Sequence, residues 1–209
     1  ALMEATLARA RERGLAVGAH PGYPDRAGVG RRDVHMSLDD VTALVADQVG
    51  ALDELARATG VRLAHVKPHG ALYNRAVHDE ALAAAVVKGI CLRIPGAAVF
   101  APPHSALLRA ATGAGLRGVR EAFADRAYLA DGRLVPRTDP GALITEPTAV
   151  VERARRLVVE GLVATLDGDT IPVPCDTLCV HADTPGSAQL AVEIRAALTK
   201  AGVRLVAPA

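Results

Sequence analysis

Hydrophobic and polar positions along the chain follow two alternating patterns. Short apolar runs of strand length occupy residues 15–20, 62–68, 97–103, 116–123 and 177–183. Longer segments with apolar residues at helical spacing occupy residues 37–60, 79–89, 104–115, 146–161 and 184–202. Strands that alternate with helices of this length are typical of right-handed βαβ units and a parallel sheet. We therefore predict an α/β fold, and the pattern leaves open whether the sheet closes into a barrel or stays open and doubly wound.

Side chains near the predicted helix ends support these boundaries. Ser37 and Asp40 have the spacing of a capping box at the start of the first long helix. Asp79 is a suitable N-cap for the helix that follows it. Thr184 and Pro185 have the pattern of an N-cap and a first helical residue, so we predict that the last helix begins there.

No linker or low-complexity segment interrupts the alternation, so we predict a single domain over residues 1–209. Hairpins are predicted around Asp131–Gly132 and over residues 167–174. The chain begins at Ala1, inside a helical pattern that Gly14 ends. We expect from this start that the natural N-terminus is missing.

The composition excludes several classes of function. Lys plus Arg number 24 and Asp plus Glu number 23, and a net charge of +1 without a basic run argues against a nucleic-acid backbone site. With three tyrosines, two phenylalanines and no tryptophan, the chain lacks a stacking platform for single-stranded nucleic acid. Three cysteines without a Cys-x-x-Cys pattern fit a reducing cytoplasm better than a disulfide framework. The apolar runs are shorter than the roughly 18 residues of a membrane span, and we predict a cytoplasmic protein.

Reactive side chains follow the carboxyl ends of four predicted strands. In chain order these side chains are His20, Lys67 with His69, Glu121 with Asp125 and Arg126, and His181 with Asp183. Ligand sites of parallel α/β folds lie at this edge of the sheet. If the sheet closes, we expect these groups to converge on one site.

The residue types allow two kinds of chemistry. Imidazoles and carboxylates can bind a divalent cation, or they can divide into a general acid and a general base. Lys67 and Arg126 can hold a carboxylate, a phosphate or a developing oxyanion. The combination suits hydrolysis of a small anionic substrate. The alternative for Glu121 and Asp125 is a local salt bridge to a neighbouring arginine, and Cys179 is predicted to lie in the core.

Several familiar catalytic motifs do not occur in the sequence. There is no GxxxxGK[ST] phosphate loop, no GxGxxG dinucleotide fingerprint after a strand and no HExxH zinc motif. A GxSxG nucleophile elbow is also missing, which argues against a serine triad. The sequence therefore gives no position for a bound nucleotide.

Five sequence blocks occur in an order and spacing that cover nearly the whole chain. They are GAHPGYPDRAGVGRR at 18–32, HVKPHGALYN at 65–74, EAFADRAYLADGRLVPR at 121–137, PGALI at 140–144 and CVHADTPGSA at 179–188. Together they resemble the LamB/YcsF family, the family of the A subunit of 5-oxoprolinase. Two features depart from the family pattern. The first two strands are not present, which amounts to about 40 residues at ordinary βα-unit size, and Ala182 stands where the family has glycine.

The resemblance implies a fold, an activity and partners. The fold is a distorted seven-stranded (β/α) barrel of the glycoside hydrolase/deacetylase type, N-terminally truncated in this chain. The activity is that of a cyclic amide hydrolase, the ATP-dependent hydrolysis of 5-oxo-L-proline to L-glutamate together with subunits B and C, with Mg²⁺ accompanying the ATP. The site residues implied by position are His20, Lys67, His69, Glu121, Asp125, Arg126, His181 and Asp183.

We assign hypothetical roles to these residues. Lys67 and Arg126, together with His20, hold the carboxylate of the substrate or phosphoryl oxygens. Asp183 or Glu121 acts as the base toward water and is oriented by His69 or His181, with Asp125 in the same catalytic set. A divalent cation between His20, His69 and Asp183 is a further hypothesis.

Two other functions stay open. One is a metal-dependent deacetylase or amide hydrolase that acts on a sugar or another small substrate without ATP. The other is a non-catalytic role, in which the shortened chain binds partner subunits.

Overall fold

The computed structural model describes residues 1–182 and 186–207. Its helices and strands, in chain order, are α1 Leu2–Glu12, β1 Val17–Ala19, α2 Leu38–Ala58, β2 Leu63–Val66, α3 Gly70–Ala76, α4 Glu80–Cys91, β3 Ala98–Ala101, α5 Ala106–Gly113, β4 Gly118–Phe123, α6 Pro147–Val159, β5 Leu162–Ala164, β6 Thr170–Pro172, β7 Thr177–Cys179 and α7 Ser187–Lys200. The alternation of strands and helices confirms the predicted α/β class.

The main sheet has five strands in the order β1-β2-β3-β4-β7. Strand β2 pairs in parallel with both β1 and β3, and β4 pairs in parallel with β7. Gly18 is opposite His65, and Glu121 is opposite Thr177. Strands β5 and β6 form a separate antiparallel pair, so the hairpin predicted over residues 167–174 starts earlier in the chain than expected. The parallel pairing brings the carboxyl ends of neighbouring strands to the same edge of the sheet.

The described residues divide into two compact units, the first formed by residues 1–119 with Ala207 and the second by the described residues between 120 and 206. In the first unit α4 packs against both α2 and α5. The side chains of Val45, Val66, Val86 and Val99 are fully buried there. Small β-branched side chains of this kind fill the space between helices and a sheet with few rotameric alternatives. The prediction of one domain stays a prediction.

The second unit has its own core between α6 and α7. Ala124, Val150, Ala154, Leu190 and Ile194 are buried together there. The core positions on α6 and α7 recur at helical spacing, which is why both helices could be read from the sequence.

Two of the predicted helix caps are confirmed by hydrogen bonds. Ser37 Oγ accepts from Asp40 N at 3.1 Å, and Asp79 Oδ1 accepts from Leu82 N at 2.9 Å. The last helix begins at Ser187, and Thr184 and Pro185 lie outside the described residues. None of the helices in the described part of the chain combines the length and the apolar character that crossing a membrane requires.

Helix α3 was not predicted from the sequence. It contains seven residues, Gly70–Ala76, and His69 is its N-cap. A helix of two turns is too short to show an apolar period, and Gly70, with φ of +56°, gives the signal of a turn. The predicted strand over residues 177–183 also ends early, at Cys179.

Candidate functional site

The loop between β1 and α2, residues 20–36, is fixed by polar contacts with its surroundings. The side-chain amide of Gln48 on α2 forms two hydrogen bonds with the backbone of Gly22. Its Oε1 accepts from Gly22 N at 3.1 Å, and its Nε2 donates to Gly22 O at 2.8 Å. Asp25 accepts from the backbone N–H of Gly28 at 2.9 Å and of Arg32 at 3.1 Å. The Arg32 side chain also forms an ion pair with Asp25, and this hydrogen bond lowers the pKa of Asp25 to about 2. The loop therefore holds one defined conformation around a buried carboxylate.

Two glycines let this loop lie directly against the start of α3. Gly30 O accepts from Ala71 N at 3.0 Å. A Cβ atom on Gly70 would overlap Gly30 O, and a Cβ atom on Gly30 would lie 2.9 Å from His69 Cδ2. Both glycines have positive φ, +67° at Gly30 and +56° at Gly70, which other residues adopt only with strain. Close packing of backbone against an imidazole is thus built into this part of the chain.

His20 and His69 contact each other at the ends of β1 and β2. His20 Nε2 lies 2.8 Å from His69 Nδ1. The outer nitrogens face backbone carbonyls: His20 Nδ1 is 2.6 Å from Lys67 O, and His69 Nε2 is 2.7 Å from Val29 O. A carbonyl oxygen only accepts, so each outer nitrogen must carry its proton. If both rings are neutral, two lone pairs face each other, and the contact needs either one shared proton or a cation.

The same tautomers suit metal binding. Metal-bound histidines commonly donate their other N–H to a backbone carbonyl, as both rings do here. Among the described residues no group of three potential ligands is present. Asp183, the third ligand of the hypothesis, lies outside the described residues. His20 and His69 fit two positions of a cation site.

A cavity of about 580 Å³ that is largely open to solvent lies beside the two imidazoles. Its wall includes His20, Arg26, Val29, Gln48 and His69. Pockets of about 300–1,000 Å³ are typical of small-molecule sites. The volume suits a metabolite-sized ligand between an imidazole wall and the rigid loop.

Lys67 lies at the end of β2 with its ammonium group 5.8 Å from the centroid of the Tyr73 ring. Its backbone continues the sheet, because Lys67 N donates to Ala19 O at 3.0 Å. A cation over an aromatic face is held by the quadrupole of the ring. In the first unit the structure thus brings His20, Lys67 and His69 together, as expected for ends of adjacent parallel strands.

In the second unit Asp125 and His181 form a buried pair. Asp125 Oδ2 is 2.7 Å from His181 Nδ1, and the Asp125 side chain is 4% exposed. The pKa of His181 is raised to about 9, mainly by the hydrogen bond to Asp125 and to a smaller extent by the contact with Cys179. His181 is therefore an imidazolium at neutral pH. Asp125 Oδ1 is buried and has no hydrogen-bond partner among the described residues.

Cys179 was predicted to be a core residue, and its surroundings differ from that prediction. Its thiol is half-buried, and Sγ lies 3.9 Å from His181 Nε2. Strand β7 ends at Cys179, so the alternation that suggested a buried position does not continue to His181. The Phe123 ring stacks on His181 with centroids 5.8 Å apart.

Glu121 and Arg126, two further predicted residues of this unit, are buried. Glu121 is 3% exposed on β4, and Arg126 is 4% exposed. Arg126 donates to Val135 O at 2.6 Å and to Ala142 O at 3.4 Å. Burial lowers the pKa of Arg126, although the guanidinium remains a cation. These contacts favour a structural role for Arg126, and its substrate-binding role stays a prediction.

Two positioning residues were missed by the sequence interpretation. Arg153 on α6 donates to Ala124 O at 3.3 Å and to Arg126 O at 2.9 Å, so it fixes the backbone on both sides of Asp125. Gln48 holds Gly22 as described above. Both residues are polar and lie at helical spacing from core positions, and this break in the apolar pattern is the signal that could have identified them.

Comparison with known proteins agrees with the sequence motifs. The profile of the LamB/YcsF family matches residues 1–209. The A subunit of 5-oxoprolinase from Symbiobacterium thermophilum is 50% identical over 207 residues, which are 99% of this chain and 79% of the relative. The A subunit of 5-oxoprolinase from Streptomyces coelicolor is 52% identical over 194 residues, which are 93% of this chain and 78% of the relative. The crystal structure of the lactam utilization protein from Thermus thermophilus matches with a TM-score of 0.90 and 43% identity, over 98% of this chain and 82% of that chain.

Proposed function

Because the chain belongs to the LamB/YcsF family, we propose that it acts as the A subunit of a 5-oxoprolinase. In this proposal it hydrolyses 5-oxo-L-proline to L-glutamate at the expense of ATP, as part of a complex with subunits B and C in the cytoplasm. The observation that carries the proposal is the identity of 50% over 99% of this chain with a relative of that name. The cavity of about 580 Å³ beside His20 and His69 supports a small substrate.

The chemistry of a lactam explains why ATP is needed. An amide carbon is a poor electrophile, and transfer of the γ-phosphoryl group to the lactam oxygen, with ADP leaving, makes the ring carbon accept water. Ring opening then needs a proton on the departing nitrogen, and a second water releases phosphate. We assign Lys67 to the phosphoryl oxygens or the developing oxyanion, because a fixed ammonium group stabilises negative charge that grows in the transition state.

From the sequence, His181 was a candidate for orienting the base, and its protonated state favours a different role. An imidazolium held by Asp125 at 2.7 Å can donate a proton to a leaving nitrogen and cannot accept one from water. In the proposal His181 is therefore the general acid, and the hydrogen bond to Asp125 stabilises the protonated form of the His181 ring. Glu121 and Asp183 stay the candidates for the base toward water, and Asp183 lies outside the described residues.

The test is glutamate release by the chain combined with subunits B and C, with and without ATP. We expect ATP-dependent glutamate from the wild type, and a loss of about 100-fold or more in kcat for Lys67→Ala. Lys88→Ala is the matched control, because Lys88 is an exposed lysine on α4. If the wild type released no glutamate with ATP, the proposed function would be wrong. Normal turnover of Lys67→Ala would remove Lys67 from the mechanism and leave the function intact.

A second candidate is a metal-dependent amide hydrolase or deacetylase that works without ATP. The observation in its favour is that His20 Nδ1 and His69 Nε2 both donate to backbone carbonyls, as the second ring nitrogen of a metal-bound histidine commonly does. A bound divalent ion would act there as a Lewis acid. Hydrolysis that a chelator stops and that needs no ATP would support this candidate.

A further inference from the structure

Arg26 has no role in the mechanism proposed above. It follows Asp25 in the loop after β1, and it forms part of the wall of the cavity beside His20 and His69. No described residue forms a hydrogen bond or an ion pair with its guanidinium group. Its neighbour Asp25 does not neutralise it, because Asp25 is paired with Arg32. The cavity wall therefore presents a permanent positive charge with five N–H donors.

The backbone that carries Arg26 is held on both sides. Before it, Gly22 is held by Gln48; after it, Gly28 N donates to Asp25 Oδ1 at 2.9 Å and Gly30 N donates to Asp25 O at 2.8 Å. A rigid backbone reduces the entropy lost when the side chain is ordered by a ligand. Surface arginines on mobile loops lack this property, so the fixed loop distinguishes Arg26 from a solvated arginine.

We propose that Arg26 binds the carboxylate of the substrate in this cavity through a two-pronged guanidinium–carboxylate contact. The inference rests on the proposed function, and it moves the anion-binding role from Arg126 to Arg26. Arg126 is 4% exposed and donates to Val135 O and Ala142 O, whereas Arg26 is exposed to the cavity. A guanidinium matches the planar geometry of a carboxylate, and it contributes both affinity and orientation.

The apolar side of the cavity suits the rest of such a substrate. Pro24 and Val29 lie in the wall on the same loop as Arg26. Val29 is 62% exposed and has φ of +55°, a conformation that β-branched residues seldom adopt. The strained backbone turns Val29 O toward His69 Nε2, at 2.7 Å. A five-membered ring can thus lie between apolar groups while its carboxylate meets Arg26. A phosphoryl group of the nucleotide shares the anionic chemistry, and the experiment separates the two anions.

The experiment compares Arg26→Gln and Arg26→Lys with the wild type in the complex with subunits B and C. Loss of hydrogen bonds to a charged group corresponds to roughly 10- to 100-fold in affinity. We expect Arg26→Gln to raise KM for 5-oxo-L-proline by about that factor, with a smaller change in kcat and no change in KM for ATP. Arg26→Lys should recover part of the loss, because it restores the charge without the planar fork. Arg62→Gln, an exposed arginine of the same unit, is the matched control.

The outcomes separate the inference from the proposed function. A rise in KM for ATP instead of 5-oxo-L-proline would assign Arg26 to the phosphoryl group and overturn the carboxylate assignment, and unchanged KM values would overturn it as well. If the wild-type complex released no glutamate, ligand-observed NMR of the chain with 5-oxo-L-proline and with 2-pyrrolidinone, the same lactam without a carboxylate, decides the inference. Binding of 5-oxo-L-proline that Arg26→Gln abolishes, with 2-pyrrolidinone unaffected, would support it. Equal binding by both proteins, or no binding to the wild type, would overturn it.

Discussion

The pair formed by Asp125 and His181 predicts a specific dependence of stability on pH. The perturbation is His181→Gln, which removes the imidazolium and leaves a side chain of similar length. In the folded protein the pKa of His181 is raised to about 9, chiefly by its hydrogen bond to Asp125. In the unfolded chain a histidine titrates near about 6.5. The folded protein therefore binds a proton more tightly than the unfolded chain does.

The magnitude follows from this difference in pKa. The pKa rises by about 2.5 on folding, and at about 1.4 kcal/mol for each pKa unit this gives roughly 3 to 4 kcal/mol of unfolding free energy. The two side chains are 21% and 4% exposed, so solvent screens the pair only weakly. Because the pKa is raised on folding, the contribution is fully present below about pH 6.5 and is lost as the pH rises through about 9.

The assay is urea unfolding of the wild type and of His181→Gln at about pH 6 and about pH 10. We expect the difference in unfolding free energy between the two proteins to be larger by about 3 kcal/mol at the lower pH. Asp125→Asn should show the same pH dependence, and combining the two substitutions should add little further dependence, because either one alone removes the pair. A difference that is equal at both pH values would refute the ion pair and the role of His181 as an acid.

Two further predictions concern the first unit. Gly18→Ala should lower the free energy of unfolding by about 1–3 kcal/mol, because a Cβ atom there would overlap the imidazole of His65 on the neighbouring strand. Gly113→Ala is the control and should change the free energy of unfolding little, because its Cβ atom would meet no atom within 4 Å. The urea unfolding midpoints of the two variants test this. Asp25→Asn should lower the melting temperature at neutral pH, because it removes the ion pair with Arg32. The pKa of Asp25 is lowered to about 2, so the advantage of the wild type is present above about pH 4 and should disappear as the pH falls through about 2, and a difference that persists there would contradict the reasoning.

Elements defined by local interactions could be predicted from the sequence. Helices α2 and α4 begin where Ser37 and Asp79 cap them, because a cap joins residues only three positions apart. Helix α3 could not be predicted, because its position depends on the contact of Gly30 O with Ala71 N, between residues 41 positions apart. The structure places His20 Nε2 2.8 Å from His69 Nδ1, at the ends of adjacent strands. The order of the strands indicates that the two histidines are neighbours. Which ring nitrogens face each other depends on the backbone carbonyl that each ring contacts, and the sequence does not show this.

The tripeptide Asp-Arg-Ala shows where sequence interpretation stops. It occurs twice in the loop that follows a strand, at residues 25–27 after β1 and at residues 125–127 after β4. In the first copy Asp25 is held by the more distant Arg32, and the adjacent Arg26 lies in the wall of the cavity. In the second copy Asp125 contacts His181, and Arg126 is the buried residue that donates to carbonyls. The aspartate is buried and paired in both copies, whereas the arginine is exposed in the first copy and buried in the second. The partners that set this difference lie seven to 56 positions away in the sequence. Burial then decides the function, because a guanidinium that already donates to backbone carbonyls cannot leave them for a ligand without leaving buried acceptors unsatisfied, whereas one without such partners can bind an anion at little cost.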